Sequence, residues 1–117
     1  MREGLALAEA CAHAAADKKA ENPILLDLRN ISSLTDFFFI CTATSEPQLK
    51  AIVSSIREEL RENCQARPLA VNGSPASHWV VMDYGDMVVH IFLGAKREFY
   101  GLETLWRDAP RLPTVGF

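Results

Sequence analysis

The alternation of apolar and polar positions divides the chain into short, differently patterned segments. Residues 2–20 are rich in alanine and other good helix formers, with acids and bases mixed in, which predicts a first helix. Asn22-Pro23 is expected to stop it, since proline cannot continue the hydrogen-bond ladder and pushes its predecessor out of helical geometry. Residues 24–29 then alternate. Ile24, Leu26 and Leu28 fall on one side of a strand, with Asp27 and Arg29 on the other. Residues 30–36 form a polar connection. Residues 37–43 are apolar on both faces, as a central strand covered by helices on each side requires.

The clearest local signal follows. Ser45 is a good N-cap and Gln48 stands at capping-box spacing, while Pro47 sits in the first turn, where its missing N–H costs nothing. Leu49, Ile52, Val53, Ile56 and Leu60 then recur at one-face helical spacing, predicting an amphipathic helix to about Asn63. Residues 67–71 suggest a short strand and residues 72–75 a turn. Residues 78–82 and 87–93 are β-rich and flank Asp83-Tyr84-Gly85-Asp86, which predicts an antiparallel hairpin turning at Gly85. Residues 97–108 read as a last short helix ended by Pro110. The order α-β-β-α-β-β-β-α gives an α/β (α+β) single domain over residues 1–117. It implies a mixed sheet of about five strands flanked by helices. Residues 1–22 are its N-terminal helix and 109–117 its tail.

Composition narrows the function. The 117 residues are 49% hydrophobic and 23% charged, which suits one folded domain and excludes a disordered chain. No apolar run approaches the roughly 20 residues of a membrane-spanning helix. The acids Glu9, Asp17 and Glu21 argue against a leader, so the mature chain is expected to start at residue 1. Three isolated cysteines, at 11, 41 and 64, suggest neither a disulfide framework nor a zinc site and fit the cytoplasm. A net charge of −3 disfavours direct nucleic-acid binding, which rests on neutralising phosphates.

Candidate catalytic groups are weak. His13, His78 and His90 are dispersed, and His90 shares a sheet face with Val88 and Phe92, as a hydrogen-bonded structural histidine would. Gly73-Ser74 followed by Asp83 and Asp86 faintly suggests a magnesium-dependent nucleotidyltransferase. Aspartates that share a metal from one strand need i, i+2 spacing, however, and here the spacing is three across a turn. Asp83 and Asp86 are better read as shaping that turn or touching a partner. No phosphate-binding glycine loop and no nucleophile elbow are present. On these spacings the chain is unconvincing as an enzyme.

Both tryptophans and both tyrosines fall between residues 79 and 106: Trp79, Tyr84, Tyr100 and Trp106. Asp83, Asp86, Glu98 and Glu103 interleave with them. Phe99 and Trp106 are expected to pack the last helix. Tyr84, at a hairpin tip, is expected to stand exposed. Aromatics beside acids match the anchors of an interface with a basic protein surface.

These same residues carry a resemblance. Residues 79–86 (WVVMDYGD), 88–92 (VVHIF), 97–100 (REFY) and 102–106 (LETLW) resemble the Iojap family, the ribosomal silencing factors. Leu34-Thr35-Asp36-Phe37-Phe38 and Thr44-Ser45 with Gln48 match in the same order, so the resemblance spans about residues 24–108. It implies a mixed sheet related to nucleotidyltransferases without transferase activity, and no cofactor. It also implies binding to the large ribosomal subunit through ribosomal protein L-fourteen, which blocks subunit joining and represses translation. The partner-binding residues it implies are Trp79, Asp83, Tyr84, Asp86, Arg97, Tyr100 and Glu103. A homodimer of the free protein is also compatible with it. The chain departs from the family's usual glycine at Ala43, glutamate at Asn72 and acid at Gly101.

Overall fold

Helix α1 (Arg2–Asp17) ends well before Asn22-Pro23. Lys19 adopts the left-handed conformation (φ 61°) and the Ala20 N–H reaches back to the Ala15 carbonyl at 3.1 Å, closing the helix without a glycine. The computed structural model describes residues 2–114. The side chains of Arg2, Glu3, Pro75 and Phe99 are outside the described set, as are residues 115–117, so the expected packing of Phe99 and the end of the tail lie outside the described residues.

Strand β1 (Glu21–Asp27) starts earlier than expected and contains Pro23. A register shift between Glu21 and Ile24, with Asn22 at φ 50°, forms the irregularity that lets a strand hold proline. Strand β2 (Phe37–Ala43) is central, and helix α2 (Glu46–Cys64) follows it. Ser45 caps α2 by accepting from the Gln48 N–H at 3.2 Å. Gln48 answers through Thr44 rather than Ser45: its Oε1 accepts from the Thr44 N–H at 2.6 Å.

Strand β3 runs over Ala70–Ser74, later than the expected 67–71, and is exposed along its whole length. Strands β4 (Trp79–Asp83) and β5 (Met87–Leu93) form the expected antiparallel hairpin. The expected last helix is instead two, α3 (Lys96–Tyr100) and α4 (Leu102–Leu105), divided at Gly101, whose φ of 60° suits glycine. A sixth strand, β6 (Arg111–Leu112), lies in the expected tail, so the sheet has six strands rather than five. Their order is β3-β4-β5-β2-β1-β6, with only β2 and β5 parallel.

This is one α+β domain built on a sheet with two unlike faces. On the first, Phe37, Phe39, Cys41, Val80, Met82, Val89 and Ile91 are buried under α1 and α2 with Leu49, Ile52, Ile56 and Leu60. On the second, Leu26, Leu28, Ile40 and Phe92 pack with Phe38, Trp79, Leu102 and Trp106. The cysteines are free thiols, with Cys11 and Cys41 buried. Burial raises the Cys41 thiol to about 12, which keeps it protonated.

Candidate partner-docking site

Strand pairing sets what the second face displays. Trp79 lies opposite Phe92, Val81 opposite His90 and Asp83 opposite Val88, while β2 adds Phe38 beside Val88 and Ile40 beside His90. Alternation therefore gathers aromatic rings onto one side. Trp79 stacks on Phe92 at 5.2 Å between centroids and on His90 at 6.0 Å. The edge of His90 meets Phe38 at 4.7 Å, and Phe38 meets Trp106 at 6.0 Å. Tyr100, from α3, lies 4.1 Å from Trp79 and remains 42% exposed. Leu105 of α4 is 71% exposed. The result is a row of rings, buried at its base and open to solvent at Tyr100 and along Trp79, which is half-buried. Rigid aromatic surface of this kind is what interface anchors are made from.

His90 is buried within the row. Its Nδ1 accepts from Trp79 Nε1 at 3.4 Å, which places the proton of the neutral ring on Nε2, and Nε2 has no partner. Burial lowers its pKa to about 4, so the ring is neutral near pH 7. It is the structural histidine the alternation suggests, satisfied at one nitrogen only.

The seven residues singled out in the sequence do not form one cluster. Trp79, Arg97, Tyr100 and Glu103 gather at one end of β4. Asp83, Tyr84 and Asp86 lie at the other, about 13 Å along the strand at 3.3 Å per residue. Arg97 is 7% exposed. Its Nε donates to Glu103 Oε1 at 2.7 Å and its Nη1 to Thr42 Oγ1 at 2.9 Å, fastening α3 and α4 to the end of β2. Arg97 and Glu103 therefore hold Tyr100 in place rather than reach outward.

At the far end, Asp83 shapes the turn as expected, its Oδ1 accepting from the Gly85 N–H at 2.8 Å. Asp86 is exposed. Tyr84 corrects the sequence expectation: it is 8% exposed and points into the first face. The tip is clasped, which is why. Asp36 and Phe37 N–H groups donate to the Asp86 carbonyl, Thr35 Oγ1 donates to the Gly85 carbonyl at 2.9 Å, and the Leu69 N–H donates to the Asp83 carbonyl. The Tyr84 hydroxyl is buried without a partner, and burial raises its pKa to about 12.

The sequence puts Phe38 in a strand covered on both faces and Phe92 on one sheet face with Val88 and His90, and does not join either to Trp79. The only signal available was the shared parity of 79/81/83 and 88/90/92; the alignment with residue 38 depends on pairing. Gly73, by contrast, has a tight structural role. At φ 84°, an added Cβ would lie 2.0 Å from the Trp79 carbonyl oxygen, so Gly73-Ser74 is accounted for by the β3–β4 turn. Among the described residues, no three His, Cys, Asp or Glu side chains gather as metal ligands would, and no helix is long and apolar enough to cross a membrane.

Comparison with known proteins adds to this geometry. The family model described as "Ribosomal silencing factor during starvation" matches residues 2–116. The chain is 41% identical over 95 residues to ribosomal silencing factor RsfS of Bacillus subtilis, covering 80% of this chain and 79% of that one. It is 38% identical over 113 residues to the protein of the same name from Halalkalibacterium halodurans, covering 94% and 93%. A more distant mouse protein, named "Mitochondrial assembly of ribosomal large subunit protein 1", is 36% identical over 74 residues, covering 62% of this chain and 32% of that one. A crystal structure of a Chromobacterium violaceum protein superposes with a TM-score of 0.83 at 29% identity, covering 95% of this chain and 91% of that one.

Proposed function

Because the chain belongs to the ribosomal silencing factor family, we propose that it docks on the large ribosomal subunit in the cytoplasm and represses translation by keeping the small subunit away. Relatives bear the name of a regulatory factor, not of an enzyme. The docking partner in this reading is ribosomal protein L-fourteen, as the motif resemblance implies. The observation that carries the reading is the half-open aromatic row, with Trp79 and Tyr100 in contact at 4.1 Å at its exposed end.

Such a row supplies what a protein interface needs: large apolar area on side chains with few rotamers, already held in place by Arg97 and Glu103. Preorganisation lowers the ordering cost of binding. Asp83, along the same face, and exposed Asp86 at the hairpin tip favour a basic partner surface. Blocking then requires only bulk. The domain measures 33 × 33 × 26 Å, bulk that a docked copy would place at the joining face.

Sucrose-gradient sedimentation tests this reading. At near-physiological salt the protein should migrate with free large subunits and reduce their joining to small ones. Trp79→Ala should weaken that association by about 2 kcal/mol, roughly thirtyfold, as truncation of a central aromatic anchor does. If the wild-type protein stays at the top of the gradient, the reading fails. If Trp79→Ala sediments as the wild type does, the docking face lies elsewhere.

A further inference from the structure

A second surface of opposite chemistry lies on the helical layer. Along α2, Ser54, Arg57, Glu58 and Arg61 are exposed and stand near helical i, i+3 and i+4 spacing on the side turned from the core. After Cys64 the chain reverses: Gln65 is left-handed (φ 51°) and the Ala66 N–H returns to the Leu60 carbonyl at 3.0 Å. That reversal lays residues 66–68 back beside the last turns of α2. Arg67 thereby joins Arg57 and Arg61 around one groove of about 650 Å³.

The groove holds three guanidinium groups and one carboxylate, Glu58, in a protein whose net charge is −3. Arg61 shares a weak, exposed contact with Glu62 at 3.6 Å. Arg57 and Arg67 make no ion pair among the described residues. Three cations elsewhere are answered locally: Arg29 by Asp27, Arg97 by Glu103 and Lys18 by Asp17. Exposed like charges drawn into one concavity repel each other, and a polyanion in the groove would relieve that repulsion. Guanidinium forks match phosphate oxygens in pairs, and a concave wall strengthens the local field.

We propose that this groove binds the phosphodiester backbone of RNA, independently of its sequence. No aromatic side chain lines it on which a base could stack, so the recognition is of charge alone. The groove sits on α2, which covers the first sheet face, whereas the aromatic row lies on the second. The inference therefore goes beyond the docking reading: one protein would hold a basic protein partner on one layer and an RNA strand on the other. It also localises the acidic composition, which disfavours RNA binding for the chain as a whole but not for this groove.

Fluorescence anisotropy of the full chain with a labelled twelve-nucleotide oligouridine tests it without ribosomes, so the outcome is independent of the docking reading. Three phosphate contacts on a single strand predict a slope near −2 in log affinity against log salt. Affinity should then fall roughly twentyfold between 50 and 200 mM salt. Arg61→Glu with Arg67→Glu should lower binding at least tenfold with an unchanged thermal midpoint, since both side chains are exposed. Lys18→Glu with Lys19→Glu, the same change in net charge near the other end of α2, should lower it less than threefold. Equal losses in the two double variants would overturn the proposal by showing only general charge attraction. Absence of binding at 50 mM salt would overturn it too. Competition by inorganic pyrophosphate as effective as that by unlabelled oligouridine would reassign the groove to free phosphate ligands, and an aspartate-rich peptide matching the RNA would reassign it to a protein.

Discussion

The two faces of the sheet use alternate residues of the same strands, yet they are closed in different ways. On the first, aliphatic and phenylalanine side chains lie under two long helices of 16 and 19 residues, and Phe39, Ile52, Ile56 and Leu60 are fully buried. On the second, the cover is α3 and α4, of five and four residues, with the segment leading to β6. Helices that short are marginal on their own and too small to hide a wide face. The wide side chains fit this arrangement, because stacked rings can fill a layer that no long helix fills. One face is therefore sealed by long helices, and the other offers a preorganised surface at its rim.

Truncation on the sealed face should produce the largest effect. Phe39→Ala removes a fully buried ring beneath α1 and α2, where little can collapse into the space. Urea unfolding should show a loss of about 3–5 kcal/mol. The folded fraction should still cosediment with large subunits as the wild type does. A smaller cost than that of Trp79→Ala, on the half-open face, would contradict the division between the faces.

How much of this was legible depended on whether a feature was local. Helix α2 can be read directly, because Ser45, Gln48 and the Leu49–Leu60 spacing each act within a few residues. The β4–β5 hairpin is equally local. The end of α1 is not, since Lys19 takes a left-handed conformation with no glycine to announce it. A two-residue β6 has no periodicity to detect. Tyr84 misleads because a hairpin considered alone has a free tip, whereas Thr35, Asp36 and Phe37, some fifty residues away, close over this one. The aromatic row has the same origin: alternation supplies the parity of Trp79 and His90, but only the β2–β5 register brings Phe38 to them.

The faces should also respond to opposite ends of the pH scale. His90, on the second face, is held neutral by burial with a pKa near 4, against about 6.5 when unfolded. The unfolded chain thus takes up a proton first as pH falls. Stability from this group is complete above pH 6.5 and is lost progressively down to about pH 4, on the order of 3 kcal/mol in all. The comparison to make is urea unfolding at pH 7 and pH 4.5 for the wild type and His90→Phe. The variant should lose distinctly less on acidification. If both lose equally, the imidazole is not kept from solvent by the ring row, and the second face is more open than its stacking distances indicate.

The smallest effect belongs to a single oxygen atom on the sealed face. The Tyr84 hydroxyl is buried without a hydrogen-bond partner, which costs folding free energy, while its ring packs among apolar neighbours near Cys11. Tyr84→Phe keeps the ring and removes the unsatisfied group, so it should be neutral or stabilising by up to about 1 kcal/mol. Tyr84→Ala, in contrast, should cost about 3 kcal/mol or more, as for a core ring. The pair separates this residue from a surface contact, where both changes would be nearly silent. Alkaline unfolding sharpens the point further. With the phenol raised to about 12 in the fold and near 10 in the unfolded chain, its contribution is complete below pH 10 and is lost as pH rises towards 12. Tyr84→Phe should lack that part of the alkaline loss. A variant that loses stability with pH as steeply as the wild type would show that water reaches the hydroxyl, and that the first face is not sealed at its hairpin end.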